Sequence, residues 1–182
     1  PSNLLRMPDV RQTTDYSCGP TALQAVLGYY GEEHFEQVLM QLCQADPQEG
    51  TPPEKLAEAA RALGFQAEIR QNLSLEDLQQ SIEGGVPVMV AAQAWRNEDQ
   101  FQTPWNNIWD SGHWMVAVGI DEHNVYFEDP SILAAWAPLL GKNLYSAGTT
   151  LTPTSHLCMV ACLSAEKALP PRRWSCTSIK KG

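Results

Sequence analysis

Cys18 is followed by Gly19 and Pro20 and opens an apolar stretch. A thiol attacks a carbonyl as its thiolate, so it needs a base. The base needs an orienting group, and the oxyanion that develops on the substrate needs hydrogen-bond donors. One residue of each kind stands in a suitable local setting. His113 lies in Ser111-Gly112-His113-Trp114, Asp129 lies in Glu128-Asp129-Pro130, and Gln12 precedes the cysteine by six residues. That combination supports acyl transfer through a thioester.

The elements that must hold these residues are legible from periodicity. Ala22, Leu23, Val26, Leu27 and Tyr30 recur at helical spacing and predict a helix over 18–30 with one apolar face. Pro20 suits its first turn and Gly31 its end. Asp15 and Ser17 are candidate caps. Cys18 therefore sits at a helix N-terminus, where the peptide dipoles favour a thiolate. A short helix follows over 35–43. A third starts at Thr51-Pro52-Pro53-Glu54, read as an N-cap, a proline at N1 and an acid at N3. A strand over 65–70 and a helix over 74–82, capped by Ser74, complete the front half.

The pattern then turns to β, with a strand over 86–94 and a long loop carrying Trp95, Phe101, Trp105 and Trp109. Strands over 113–120 and 125–128 flank the four-residue turn Asp121-Glu122-His123-Asn124, which makes a hairpin. His113 and Asp129 then fall at the same end of neighbouring strands, within reach of an imidazole–carboxylate hydrogen bond.

Each assignment competes with a plainer one. A free cysteine is most often a small buried hydrophobe, and Asp129 before Pro130 can be a turn residue. Gln12 can be a solvated side chain. Of the other histidines, His34 sits in a polar helix start and His123 in a hairpin turn, so both read as solvated. His113 alone opens an apolar strand behind a glycine. Gly19 leaves room for a substrate carbonyl. Gly112, Trp114, Trp95 and Trp109 are candidates for the cleft wall, and Asp110 for a substrate contact. The plain reading of the tryptophans is aromatic packing under a long loop.

The 182 residues, 43% apolar and 18% charged, suit one globular domain. No apolar run approaches the roughly 18 residues that span a bilayer, and no signal peptide is visible. A net charge of −9 argues against nucleic acid, which needs a basic face. Cys18, Cys43, Cys158, Cys162 and Cys176 are an odd, irregular set, a poor disulfide framework that fits a reducing, cytoplasmic setting. His156, Cys158, Cys162 and Cys176 do not have standard zinc spacing, so no metal and no cofactor is expected.

Charge and pattern change near Ser131. Residues 1–132 hold 6 basic and 20 acidic side chains, and residues 133–182 hold 6 and 1. Periodicity fades after Leu140. The expected division is a catalytic domain over 1–132 and an atypical, poorly ordered tail over 133–182. A one-base frame shift, with free choice of third bases, turns the tail into a helix-and-strand ending. The tail is thus read as a frameshifted or alternative one, against a divergent natural tail, and the coding DNA decides. On the frameshift reading the sheet lacks its last strands.

Three blocks resemble one family: Gln12-Thr13-Thr14-Asp15-Tyr16-Ser17-Cys18-Gly19-Pro20-Thr21-Ala22-Leu23, Gly112-His113-Trp114-Met115-Val116-Ala117-Val118-Gly119, and Glu128-Asp129-Pro130-Ser131. They are similar to the double-glycine, or bacteriocin-processing, peptidases of the papain-like cysteine peptidase superfamily, over about residues 5–132. The resemblance implies an α+β fold, with a helical lobe carrying the cysteine and an antiparallel sheet carrying the histidine and aspartate. It also implies a peptide or protein substrate. Family members fused to transporters cut leader peptides after Gly-Gly. The alternatives are a Cys-dependent acyl or peptidyl transferase similar to phytochelatin synthases, and a non-catalytic peptide-binding domain of the same fold.

Overall fold

The computed structural model describes residues 4–71, 73–95, 97–103, 107 and 112–132, together with the backbone of 137–140 and 158–165. Four helices form the front half: α1 (Cys18–Tyr29), α2 (Glu36–Leu42), α3 (Pro53–Ala62) and α4 (Leu75–Glu83). The strands are β1 (Phe65–Gln71), β2 (Val88–Gln93), β3 (Gly112–Ile120), β4 (Asn124–Glu128), β5 (Ala137–Leu140) and β6 (Cys158–Ala165). They make one sheet in the order β1-β6-β2-β3-β4-β5, with every pairing antiparallel.

The helix α1 is buried from Cys18 to Leu23 and from Ala25 to Leu27. The expected single apolar face is therefore too narrow a description. Small residues let neighbours close on the other sides, and Leu23, Ala25, Val26 and Leu27 lose all contact with water. Burying such a side chain stabilises the fold by roughly 1.5–3 kcal/mol, so α1 is a main anchor of the core. It packs on β3, α2 and α3. The apolar run of β3 explains its central place: Trp114 to Val118 are all buried, as expected of a strand covered on both faces.

Gly28 meets the lead-in chain at close range. A Cβ there would lie 2.7 Å from Cγ of Pro8. Gly28→Ala gains about 1 kcal/mol of helix propensity but forces a ring apart from a buried helix, an overpacking cost of roughly 1–3 kcal/mol. The expected result is a net loss of about 1 kcal/mol in urea unfolding. A more stable variant would show that the lead-in yields freely.

One expected cap moves. The helix α3 starts one residue later than read, with Pro52 at the N-cap and Pro53 inside the first turn. Thr51 is buried and its carbonyl accepts the indole N–H of Trp114 at 2.9 Å. At α4 the expected cap holds: Ser74 Oγ accepts from Asp77 N, and the Asp77 side chain returns to Ser74 N.

The stretch past Leu133, expected to stand outside the domain, enters the sheet at two places. The β5 backbone pairs with β4, and β6 pairs with both β1 and β2. Residue 132 is therefore not where the sheet ends. The sequence Cys158-Met159-Val160-Ala161-Cys162-Leu163-Ser164-Ala165 lacks polar alternation. Its backbone has a neighbour on each edge, β1 on one side and β2 on the other.

Candidate active site

The N-terminus of α1 is built by a tight turn. Thr14 N donates to Ser17 Oγ at 3.2 Å, and Ser17 Oγ donates to Thr14 O at 3.1 Å. Ser17 occupies the N-cap position, but its hydroxyl faces back into this turn and does not cap the helix. The first-turn amides keep no side-chain cap. Cys18 is the first helical residue and is 7% exposed.

His113 enters from β3, opposite Ala92 of β2, and is buried to 1% exposure. Its Nε2 lies 2.7 Å from Asp129 Oδ1. The same carboxylate oxygen accepts Ser131 N at 2.8 Å and Ser131 Oγ at 2.7 Å. The turn Asp129-Pro130-Ser131 thus holds the carboxylate before the ring meets it. The other ring nitrogen, Nδ1, is buried and has no hydrogen-bond partner among the described residues. Burial opposes a charged ring here. The hydrogen bond and charge of Asp129, with Cys18 nearby on the other side, outweigh it and raise His113 to about 9. Burial likewise pushes Asp129 up, but hydrogen bonds from His113 and Ser131 hold its carboxyl below the usual range. The site is therefore set for an imidazolium beside the Asp129 carboxylate and the Cys18 sulfur. Cys43, by contrast, is driven to about 12 by burial alone and stays an inert core thiol.

Gln12 is tied to the same corner. Its backbone N–H donates to Pro130 O at 3.0 Å, and its Nε2 donates to Thr14 O at 2.8 Å. An amide nitrogen carries two donors, so one N–H remains available. Trp95 is half exposed and lies over the His113 ring, with centroids 4.7 Å apart and planes at 60°. Among the described residues, nothing lies within 4 Å of where a Gly112 side chain would start.

Gly19 and Trp114 are placed differently from the expectation. A Cβ on Gly19 would lie 3.0 Å from Thr51 Cβ and 3.1 Å from Trp114 Cδ1. Trp114 is 6% exposed and its only donor is taken by Thr51. Both residues pack α1 against β3 behind the site, so their smallness and bulk serve packing and leave no surface for a substrate. Trp109 and Asp110 lie outside the described residues, as do the side chains of His156, Cys158, Cys162 and Cys176.

Sequence reasoning missed Ser131, Thr51 and two buried carboxylates. Glu36 accepts from Thr13 and Thr21. Glu128 accepts from Arg11 Nη1 at 3.1 Å, and burial raises it to about 7 although Arg11 pulls the other way. Ser131, two residues after an aspartate, carried a local turn signal. The carboxylates carried none, because their partners are distant in sequence.

A thiol at a helix N-terminus, facing an imidazole–carboxylate pair on an antiparallel sheet, defines a papain-like cysteine peptidase fold. Residues 4–136 match the model of the peptidase C39-like family, and the chain belongs to that family of cysteine-type peptidases. Solved structures agree on the fold. A double-glycine motif protease from an AMS/PCAT transporter, solved with its leader peptide, superimposes with a TM-score of 0.64 at 18% identity, over 89% of this chain and 95% of that one. The peptidase domain of Streptococcus ComA, a bi-functional ABC transporter of a quorum-sensing pathway, gives 0.64 at 19%, over 88% and 99%. A C39-like peptidase from Bacillus anthracis gives 0.61 at 21%, over 84% and 92%. No curated protein matches the chain. Among the described residues, no helix is long and apolar enough to cross a membrane.

Proposed function

We propose that the chain hydrolyses peptide bonds with Cys18 as nucleophile, His113 as acid and base, Asp129 as the group that orients His113, and Gln12 as oxyanion donor. The observation that carries this reading is the 2.7 Å contact of His113 Nε2 with Asp129 Oδ1. It leaves Nδ1 as the ring atom available to the thiol, on a ring raised to about 9. At neutral pH the ring is then protonated and in place to stabilise the thiolate form that attacks.

Cys18 Sγ attacks the scissile carbonyl carbon, and the carbonyl π electrons move to oxygen. The Cys18 backbone N–H and the second Gln12 N–H receive that oxyanion. As it collapses, the C–N bond breaks and His113 gives its proton to the leaving amine. A water then attacks the thioester, its proton passing to His113, and the acid leaves with the thiolate restored. Asp129 keeps the ring in one orientation throughout. The substrate is a peptide. The double-glycine protease solved with a leader peptide supports this choice.

The direct test is incubation with peptides that contain a Gly-Gly pair, with and without an added amine. Mass spectrometry of the products should show two peptides ending in acid and amine. An amide formed with the added amine in place of the acid would make the chain a transferase. Trp95 gives a smaller check. A cation against an aromatic ring is worth about 0.5–1 kcal/mol at an exposed position. Trp95→Ala is accordingly expected to lower kcat/KM roughly 2- to 5-fold, and Trp95→Phe less. Equal losses in both would mean that the ring contacts substrate in a way only tryptophan can.

A further inference from the structure

Gln12 stands between two residues that are each held by a buried carboxylate. Arg11, on one side, reaches Glu128. Thr13, on the other, reaches Glu36, the first residue of α2 and 9% exposed. The Glu36 contacts are the more extensive. Oε1 accepts Thr13 N at 2.9 Å, and Oε2 accepts Thr13 Oγ1 at 2.7 Å. Oε1 also lies 2.9 Å from the Thr21 hydroxyl, which shares its proton with Ser17 O at 2.8 Å. Thr21 belongs to the first turn of α1, and Ser17 directly precedes the thiol.

We propose that Glu36 is a positioning residue that fixes the oxyanion-donor segment around Gln12 against the nucleophile helix that begins at Cys18. One carboxylate binds both the backbone and side chain beside Gln12 and the hydroxyl one turn from Cys18. It thereby sets the separation of donor and nucleophile. Charge is not its contribution: a buried anion on this side works against an oxyanion. Burial pushes its carboxyl up, but the hydrogen bonds from Thr13 and Thr21 outweigh that and hold it below the usual range. The contribution is geometric. A donor about 1 Å out of place loses most of its effect on a developing charge.

This inference rests on the role given to Gln12, and the test separates the two. Two small probes read different parts of the site. Iodoacetamide alkylates Cys18 by displacement of iodide and forms no oxyanion. p-Nitrophenyl acetate acylates it through a tetrahedral oxyanion. Both are followed at the Cys18 peptide by mass spectrometry, on the full chain. Glu36→Ala is expected to slow acylation about 10²-fold, the order of one lost oxyanion donor, with alkylation within 2-fold of the parent. Glu36→Gln, which keeps an acceptor at Oε1, should recover most of the rate. The double variant with Gln12→Ala should be no slower than Gln12→Ala alone.

Thr13→Val, which removes only the Oε2 contact, should show the same selective loss more weakly. It decides the matter if Glu36→Ala does not fold. Parallel loss with both probes, or losses that multiply in the double variant, would overturn the role of Glu36. Full acylation by Gln12→Ala would overturn the role of Gln12, and with it this inference. A loss in Gln12→Ala but none in Glu36→Ala would overturn this inference alone.

Discussion

His113→Ala is expected to lower kcat/KM by at least about 10⁴-fold and to collapse the rate at which Cys18 is alkylated near pH 7. Positioned acid–base groups contribute roughly 10²–10⁴-fold, and here the same ring also stabilises the thiolate. The ring is buried to 1% exposure, with Asp129 on one nitrogen and Cys18 as its other neighbour. No other described histidine can substitute: His34 lies beside Glu32, and His123 sits in the β3–β4 turn, where its backbone N–H donates to Asp121. A thiol-reactive peptidyl electrophile followed by mass spectrometry measures the effect directly. Labelling that is fast at Cys18 in the parent and slow in the variant would establish the ion pair. Labelling spread over Cys43, Cys158 and Cys176, and unchanged by the variant, would mean that Cys18 is not activated.

Removal of Asp129 should cost nearly as much, and its two variants should differ. Asp129→Ala takes away the acceptor on Nε2 and the partner of Ser131. The ring then loses its fixed orientation, and kcat/KM should fall by about 10²–10⁴-fold. Asp129→Asn keeps an acceptor oxygen of the same shape and removes only the charge. Its effect is on pH dependence. His113 has a raised pKa, so the protonated ring persists through neutral pH and is lost as pH passes about 9. Hydrolysis, which needs that proton for the leaving amine, should fall on the same alkaline limb. Alkylation of Cys18 should not, because the thiolate survives. In Asp129→Asn the alkaline limb should move down toward the ordinary histidine range near 6.5. A limb that stays near pH 9 in the variant would show that Asp129 does not set the charge of the ring.

The resting charge state also explains why the site tolerates so much burial. An isolated imidazolium at 1% exposure would lose its proton. The Asp129 carboxylate and the Cys18 sulfur beside the ring reverse that. Ser131 in turn donates twice to Asp129, so the carboxylate keeps its charge despite its own desolvation. The pair is held by the protein before substrate arrives, and the reaction does not have to organise it.

The sequence by itself determined the local parts. The spacing of Ala22, Leu23, Val26 and Leu27 put Cys18 at a helix N-terminus, and the observed helix begins at that residue. The four-residue turn after Ile120 made β3 and β4 a hairpin and brought His113 to Asp129. The Ser74–Asp77 capping box was legible residue by residue. All of these rest on periodicity or on contacts between near neighbours, which a chain states openly.

Tertiary structure alone decided the rest. Thr51 looks like a cap and instead carries Trp114, 63 residues away. Gly19 looks like an opening for substrate and is instead the place where α1 meets Thr51 and Trp114. β6 shows no alternation, and its place between β1 and β2 comes from pairing with strands far away in sequence. Glu36 looks like one more solvated acid in an acidic chain, yet it binds the segment beside Gln12 to the helix of Cys18. In each case the deciding partner lies far away in sequence. Packing and the need to satisfy buried polar groups chose it, and neither leaves a mark on the residues next door.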